Sequence, residues 1–233
     1  MEKNEQFQVY FHHLMAVSGG FMGAYAILSR LEVFGSSQTA NMITIIAHLV
    51  GKNYYDVLIR VAALVIYAAG IALTILIPRY THLNNLHILS IFIDMAALLA
   101  TGFIPASADP VMALYPFFFA TAFQWCSFGS VKGYNSATIF STNNLRQTVS
   151  SFTQYLCTRD PKALDKGIYF GGTLLFFHIG VVCSCLAYMT WGVKAAWAGI
   201  LPLLLSLGFG VYEITLLDEP RKTKAPLPIR KPN

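Results

Sequence analysis

Residues 167–189 read GIYFGGTLLFFHIGVVCSCLAYM, and no Asp, Glu, Lys or Arg interrupts them. A helix needs about 20 mostly apolar residues to cross the hydrocarbon core of a bilayer. This stretch therefore predicts a membrane-spanning helix, and the rest of the chain resembles it in composition.

Of the 233 residues, 55% are hydrophobic and only 12% are charged, with a mean hydropathy of +0.55. A soluble domain normally carries about 25% charged residues. Beside Gly167–Met189, the spans predicted directly by hydropathy are Val9–Leu28, Val57–Ile77, Leu86–Ile104 and Ala195–Leu217, and Val111–Phe128, which contains Pro116, is a sixth. Breaks containing proline are predicted at 78–80, 105–110 and 158–161. We predict an all-α integral membrane protein with one polytopic domain over residues 1–220.

Two stretches are too polar for ordinary spans. Val33–Val50 contains the polar run GSSQTAN at 35–41, and Thr138–Leu156 carries many polar side chains, among them Asn143, Asn144 and Arg146. Lipid cannot satisfy so many hydrogen-bonding groups, so Thr138–Leu156 must face protein or a water-filled cavity. We interpret both stretches as half-helices, meaning segments that enter the membrane without crossing it.

The two polar stretches occupy matching places in a weak internal repeat. An offset of 103 aligns Thr39-Ala40-Asn41 with Thr142-Asn143-Asn144 and places Gly20-Phe21 against Phe123-Gln124. Repeat one covers about 9–104 and repeat two about 111–217. With three full crossings and one half-helix each, the repeats would have opposite orientations in the membrane; with four crossings each, they would be parallel. The polarity of Thr138–Leu156 favours six crossings and inverted repeats.

Several of these motifs resemble the YoaK-like family of bacterial membrane proteins. The run SGGFMGAY at 18–25, followed by QTAN at 38–41, is similar to that family's Gly-Gly-Phe-Leu-Asp-Ala-Tyr and Gln-Thr-Gly-Asn, and AFQWC at 122–126 followed by Thr142-Asn143-Asn144 resembles its later motifs. Gly23 stands where the family usually has Asp, and Trp125 where it has Asn. The resemblance implies a polytopic fold in a bacterial inner membrane, and no substrate.

The candidate substrate-binding residues lie at the two breaks and beside them. They are Gln38, Thr39, Asn41, Gln124, Thr142, Asn143, Asn144 and Arg146. Paired discontinuous helices point to the binding site of a transporter, because interrupted helices free backbone groups that can hold ions or polar solutes. The alternative is that these side chains only join helices, since Ser, Thr, Asn and Gln form hydrogen bonds between membrane helices.

Asp94 and His48 are the candidates for coupling to protons or ions. A charge in the middle of a span such as 86–104 costs roughly 2.5–3.5 kcal/mol, so such residues usually face a cavity or a partner. Asp94 could equally be a protonated or paired structural residue, with Arg146 as a candidate partner. His48 could titrate near neutral pH. The four cysteines match no zinc or redox spacing, and we expect no metal and no cofactor.

These observations favour a small-solute transporter or permease without enzymatic activity. The half-helix N-termini would favour an anionic solute. The first alternative is a membrane accessory or sensor protein that transports nothing; a second is a membrane enzyme acting through Asp94 and a histidine. We expect the lipid bilayer as the environment and no nucleic acid partner, and so small a protein is compatible with a homodimer. The basic, Pro-rich tail at 221–233 predicts a cytoplasmic C-terminus.

Overall fold

The computed structural model describes residues 2–30, 38–83 and 85–217, of which 2–4, 216 and 217 are described by their backbone only. The predicted tail and part of the first polar stretch, 33–37, lie outside the described residues. Eight α-helices follow one another: α1 (Glu2–Ser29), α2 (Gln38–Val50), α3 (Tyr54–Tyr80), α4 (Leu86–Phe103), α5 (Tyr115–Ser127), α6 (Thr142–Thr158), α7 (Pro161–Trp191) and α8 (Ile200–Tyr212). A hairpin of β1 (Ser130–Val131) and β2 (Tyr134–Asn135) precedes α6.

The prediction of an all-α, membrane-type protein is confirmed at this level. Within the described residues, three helical segments are long and apolar enough to cross a membrane: Tyr54–Tyr80, Leu86–Phe103 and Pro161–Thr215. The last of these joins α7 and α8 through the 3-10 helix Gly192–Gly199. Many large apolar side chains on these helices face outward, including Leu58, Leu175 and Leu201. An apolar exterior of this kind suits a surface in contact with lipid.

Among the described helices, α1 and α7 have the most extensive contact with each other, and they run parallel. Near the start of both helices, His13 Nε2 lies 3.1 Å from the Tyr169 carbonyl oxygen. Further along both, the rings of Tyr25 and Tyr188 lie 6.4 Å apart. Small residues allow this approach: a Cβ added at Gly180 would overlap the backbone of α1. Glycine pairs of this kind let membrane helices pack closely.

α3 and α5 form a second parallel pair. Tyr115 OH at the start of α5 donates a hydrogen bond to the Ile59 carbonyl oxygen near the start of α3, at 2.9 Å. Further along, a Cβ at Gly70 would lie 2.7 Å from the Phe119 carbonyl oxygen. A glycine therefore sets the distance in both parallel pairs.

α4 and α8 join the two pairs. α8 runs antiparallel to α1, because Phe7 stacks on Phe209 at 5.3 Å while Phe21 meets Gly199 at the other end. The rings of His87, at the start of α4, and Phe128, just after α5, stack at 4.5 Å, so α4 and α5 are also antiparallel. The buried core, which includes Met15, Phe118, Leu98 and Leu203, lies between these helices.

α2 and α6 are short helices, with 13 and 17 residues. Each is joined to the following helix by a tight turn and packs against it, α2 on α3 and α6 on α7. Asp160 caps α7 by accepting a hydrogen bond from the Lys162 N–H at 3.0 Å. The predicted break at 158–161 is therefore confirmed, and the two polar stretches do form short helices.

Three predicted boundaries were wrong in detail. α3 continues through Pro78 to Tyr80, whereas a break was predicted there. The predicted span Val111–Phe128 begins with a 3-10 turn, Met112–Leu114, and its α-helix starts only at Tyr115. The predicted span Ala195–Leu217 begins inside the 3-10 helix, and Glu213–Leu217 form a π-helical turn. Hydropathy averages over a window and does not register such changes of helix type.

Candidate functional site

The segment that enters α6 passes through the interior of the protein. After α5 the chain turns at Lys132 and Gly133, whose positive φ angles of 55° and 75° suit the tight turn of a two-residue hairpin. Residues 136–139 are then buried without forming a helix. This entry segment lies against α1, where a Cβ added at Gly19 would overlap the Thr138 carbonyl oxygen.

Asn144, in the first turn of α6, holds the entry segment in place. Its Nδ2 donates to the carbonyl oxygens of Ala137 at 2.8 Å and Phe140 at 2.9 Å. Its Oδ1 accepts a hydrogen bond from Ser136 Oγ at 3.0 Å. The side chain is fully buried. Buried carbonyl groups outside helices and strands need hydrogen-bond donors. Asn144 provides these donors for Ala137 and Phe140.

The same network reaches α1, α5 and α7. Gln124 Nε2 donates to the Met15 carbonyl oxygen at 3.1 Å and to Thr138 Oγ1 at 3.0 Å. His12 Nε2 lies 3.2 Å from Ser136 Oγ. Thr173 Oγ1 donates to the Tyr169 carbonyl oxygen and lies 3.4 Å from Ser136 Oγ. We call these five polar side chains and Asn144 the interior network: His12, Gln124, Ser136, Thr138, Asn144 and Thr173.

The interior network contains unused hydrogen-bonding capacity. His12 Nδ1 and Gln124 Oε1 are buried and have no hydrogen-bond partner among the described residues, and the same is true of Tyr169 OH close by. An unpaired buried polar atom costs about 1–3 kcal/mol. The network can therefore bind a polar molecule, but amides, hydroxyls and one imidazole offer no charged nucleophile. Within the described residues, no group of His, Cys, Asp and Glu side chains could hold a metal.

The candidates in α2 form a separate group. Asn41 is buried in the first turn of α2, and its Oδ1 accepts a hydrogen bond from Arg60 Nη1 on α3 at 3.0 Å. Its Nδ2 lies 3.5 Å from Gln38 Oε1. Thr39 is exposed. The contacts of this group run to α3, and those of the interior network run to α1, α5 and α7.

The remaining candidates on α6 point away from the interior. Thr142 and Arg146 are exposed and Asn143 is half-buried. Arg146 Nη2 donates to Asn143 Oδ1 at 3.1 Å, so these two residues form a pair on the outer face of the helix. Of the eight predicted binding residues, the structure thus brings Gln124 and Asn144 together, and separately Gln38, Asn41 and the unpredicted Arg60.

The two coupling candidates lie apart from both groups. Asp94 is fully buried in α4, and neither of its carboxylate oxygens makes a hydrogen bond to a described residue; Ser90 lies one turn earlier. Arg146, its suggested partner, bonds to Asn143 instead. His48 lies near the end of α2, where its Nδ1 is 3.7 Å from Asp56 Oδ2.

Sequence reasoning missed His12, Ser136, Thr173 and Arg60. Of these, His12 lies beside His13 near the start of a predicted span, and nothing in the sequence indicates what it contacts. Ser136 precedes the polar run that drew attention, and its distance from His12 in sequence is 124 residues. Arg60 had a usable signal: it is a charged residue inside a predicted span, and such residues usually mark a function or a partner.

Comparison with known proteins adds one relationship. Residues 11–209 match the model of a family described as "Protein of unknown function (DUF1275)". The chain belongs to this family. The match runs from α1 to α8 and includes the short helices α2 and α6 and the interior network. No curated protein and no solved structure matches the chain.

Proposed function

We propose that this DUF1275 member is a permease for a small polar solute, with its binding site at the two half-helices. One observation carries the proposal: α2 and α6 each carry a buried asparagine in the first turn, Asn41 or Asn144, inside an otherwise apolar helical protein. Helices that begin within a membrane protein direct free backbone N–H groups at whatever lies before them. Discontinuous helices in corresponding places are the expected construction of a transporter site.

The proposal includes two repeats, α1–α4 and α5–α8. In its support, the packing is reciprocal: Gly180 of α7 meets Val17 and Phe21 of α1, and Gly70 of α3 meets Phe119 and Phe123 of α5. The members of each pair, Val17 with Phe119 and Phe21 with Phe123, lie 102 positions apart. The alignment of the two polar stretches by sequence used an offset of 103, which is one residue larger. It is also the offset at which the YoaK-like motifs in GGFMG and AFQWC correspond, which supports that finer assignment.

The repeats are inverted in this proposal. The directions of the helices support it: α1 is parallel to α7 and antiparallel to α8, and α5 is parallel to α3 and antiparallel to α4. α4 is also antiparallel to α8, because a Cβ added at Gly210 would meet Ile88 near the start of α4, and one added at Gly102 would meet Trp197 just before α8. Taken together, α1, α4 and α7 point one way and α3, α5 and α8 the other, so α1 is opposite to α5, α3 to α7 and α4 to α8. Six crossings then leave α2 and α6 as segments that enter the membrane and return.

Six crossings place both termini on the same side of a bacterial inner membrane. We assign that side to the cytoplasm, because the basic residues Lys132, Arg159, Lys162 and the tail at 221–233 all belong to it. Lys52 and Lys194 belong to the opposite side. The basic residues are thus enriched on the side that the positive-inside rule requires.

The solute in this proposal is anionic. The N-terminal ends of α2 and α6 carry partial positive charge, and Arg60 of α3 lies beside the first turn of α2, where it donates a hydrogen bond to Asn41. Arginine presents several donors in a planar arrangement that suits carboxylate and phosphate groups.

The test is a thermal-stability screen of the purified full chain in detergent against small metabolites and ions, with Asn144→Ala and Asn143→Ala beside it. A compound that stabilises the native protein and Asn143→Ala, but not Asn144→Ala, supports the site and names the solute class for uptake into liposomes. If no compound stabilises the native protein, the permease proposal loses its support.

A second candidate function, a membrane accessory or sensor protein, is favoured by the saturation of Asn144. Both of its N–H donors and its carbonyl oxygen are engaged within the chain. A residue that joins helices would be expected to use its groups in this way. In that case Asn144→Ala lowers stability, and no solute responds.

The proposal extends to a homodimer through α6. Arg146, Ser150, Gln154 and Cys157 recur on one face of α6 and are all exposed. α6 packs extensively only on α7. A polar helical face cannot be satisfied by lipid, and serine and glutamine can both donate and accept hydrogen bonds, so the same face of a second copy would complement it.

A further inference from the structure

A groove runs along the outside of the protein between the start of α1 and the end of α8. Its volume is about 590 Å³, and its lining is almost entirely apolar: Phe7, Leu204, Leu205, Gly208, Phe209 and Tyr212. Leu205 and Tyr212 are 64% and 46% exposed. The groove is therefore open to whatever surrounds the protein at this end of α8.

Two features of the lining give the groove its shape. The rings of Phe209 and Tyr212 lie 5.3 and 5.2 Å from the ring of Phe7, so three aromatic rings in mutual contact form one wall. Gly208 leaves the space beside that wall empty, because a Cβ added there would meet no atom within 4 Å. The hollow therefore exists before any ligand enters it.

The groove has the length of one leaflet of a bilayer. α8 belongs to the segment Pro161–Thr215, which is long and apolar enough to cross a membrane. From Leu204 to Tyr212 the helix advances about 12 Å, and half of a hydrocarbon core is about 15 Å thick. Tyr212 lies at the outer end, where an amphipathic ring suits the boundary between acyl chains and headgroups. In length and chemistry the groove fits an acyl chain.

The sequence that follows α8 is basic. The π-helical turn after α8 ends at Leu217, and residues 218–233 contain two acidic side chains, Asp218 and Glu219, against five basic ones, Arg221, Lys222, Lys224, Arg230 and Lys231. Arg221 is four residues beyond Leu217, so it lies within about 14 Å of it in any conformation. A basic segment directly after a membrane helix attracts anionic headgroups.

We propose that this groove binds one anionic phospholipid, with an acyl chain lying over Gly208 and the phosphate near Tyr212. The apolar lining provides the contact area for the chain, and the basic residues after α8 provide the preference for a negatively charged headgroup. The site goes beyond the proposed permease, since it involves neither α2, α6 nor the interior network.

The test uses native mass spectrometry of the purified full chain in detergent, which counts the lipids bound to each copy. The probes are phosphatidylglycerol, which is anionic, and phosphatidylethanolamine, which is zwitterionic, with identical acyl chains. We expect the first phosphatidylglycerol to bind severalfold more tightly than the first phosphatidylethanolamine. The preference should shrink as the salt concentration rises, because salt screens exposed charges.

Three variants separate the chain from the headgroup. Gly208→Leu fills the groove without changing the charge, and it should weaken the binding of both lipids severalfold. Ala69→Leu on α3 places the same side chain at an exposed position outside the groove, and it should change neither affinity. Replacing Arg221, Lys222 and Lys224 together by Gln should remove the preference for phosphatidylglycerol and leave the affinity for phosphatidylethanolamine unchanged.

Three results would overturn the inference. Equal binding of phosphatidylglycerol to the native chain and to Gly208→Leu would place the lipid elsewhere. Equal affinities of the native chain for the two lipids would contradict the anionic headgroup. A loss of dimers in Gly208→Leu with unchanged lipid binding would assign the groove to a second copy of the chain. A failed solute screen alters none of these results, so the lipid site and the permease are tested separately.

Discussion

Gly180 of α7 lies directly against the backbone of α1 at Val17, so close that a Cβ on Gly180 would overlap the Val17 carbonyl oxygen. No flexible side chain is available to move aside at this contact, because the atoms that would be met belong to the main chain. The α1–α7 spacing therefore depends on the missing side chain at Gly180, as it does on that at Gly20, where a Cβ would overlap the Phe177 carbonyl oxygen.

Replacing Gly180 by Ala should destabilise the protein by about 1–3 kcal/mol, the usual cost of overpacking a core. The melting temperature in detergent measures this. Gly208→Ala on α8 is the matched control, since a Cβ there meets nothing within 4 Å, and alanine favours the helix by about 1 kcal/mol. Equal losses in both variants would show that the close contact does not limit the packing.

Asn144→Ala should lower stability far more than Asn143→Ala. The first change leaves the carbonyl groups of Ala137 and Phe140 buried without donors, at about 1–3 kcal/mol for each unpaired group. The second removes a half-buried amide whose partner, Arg146, is exposed. Thermal unfolding of the two variants in the same detergent provides the comparison, and similar melting temperatures would contradict the role given to Asn144.

Single cysteines in a cysteine-free background should separate six crossings from eight. With six, His82→Cys and Lys132→Cys react with a membrane-impermeant maleimide from the cytoplasm, and Lys52→Cys and Ala108→Cys react from the other side. With eight, all four are reversed. Arg159→Cys and Lys194→Cys keep their sides in both arrangements and serve as controls for the orientation of the vesicles.

Oxidation in native membranes should cross-link two copies of the chain through Cys157. This cysteine is exposed on the polar face of α6. If two α6 helices pack in parallel about a two-fold axis, the two Cys157 residues face each other. Their Cα atoms would then come within the 4.4–6.8 Å that disulfides usually require. Cys157→Ser should abolish the cross-linked dimer and Cys183→Ser should retain it. A dimer that persists in Cys157→Ser would place the interface elsewhere.

Much of the helical architecture could be predicted from the sequence because hydropathy responds to the length of an apolar run. It located α3, α4 and α7, and the polarity of 138–156 identified α6 as unusual. Within the site, Asn144 and Gln124 could be chosen because amides are conspicuous in an apolar chain.

The interior network as a whole could not be predicted. His12, Ser136 and Thr173 become neighbours only when α1 and α7 pack in parallel, and that packing depends on glycines whose partners are far away in sequence. The exposure of Arg146 was equally hidden, because the polarity of a helix does not specify which side of it meets the next helix.

The entry segment, which leads from the hairpin into α6, also has a consequence for the order in which the helices insert into the membrane during synthesis. Its hydrogen bonds run to α1 and α5, which precede it, but Ser136 and α6 also depend on α7, which is synthesised afterwards. A nascent chain that has emerged only as far as Thr158 has no α7 for α6 to pack against. Insertion of α6 is therefore coupled to the arrival of α7, and the two must enter the bilayer as one hairpin rather than one after the other.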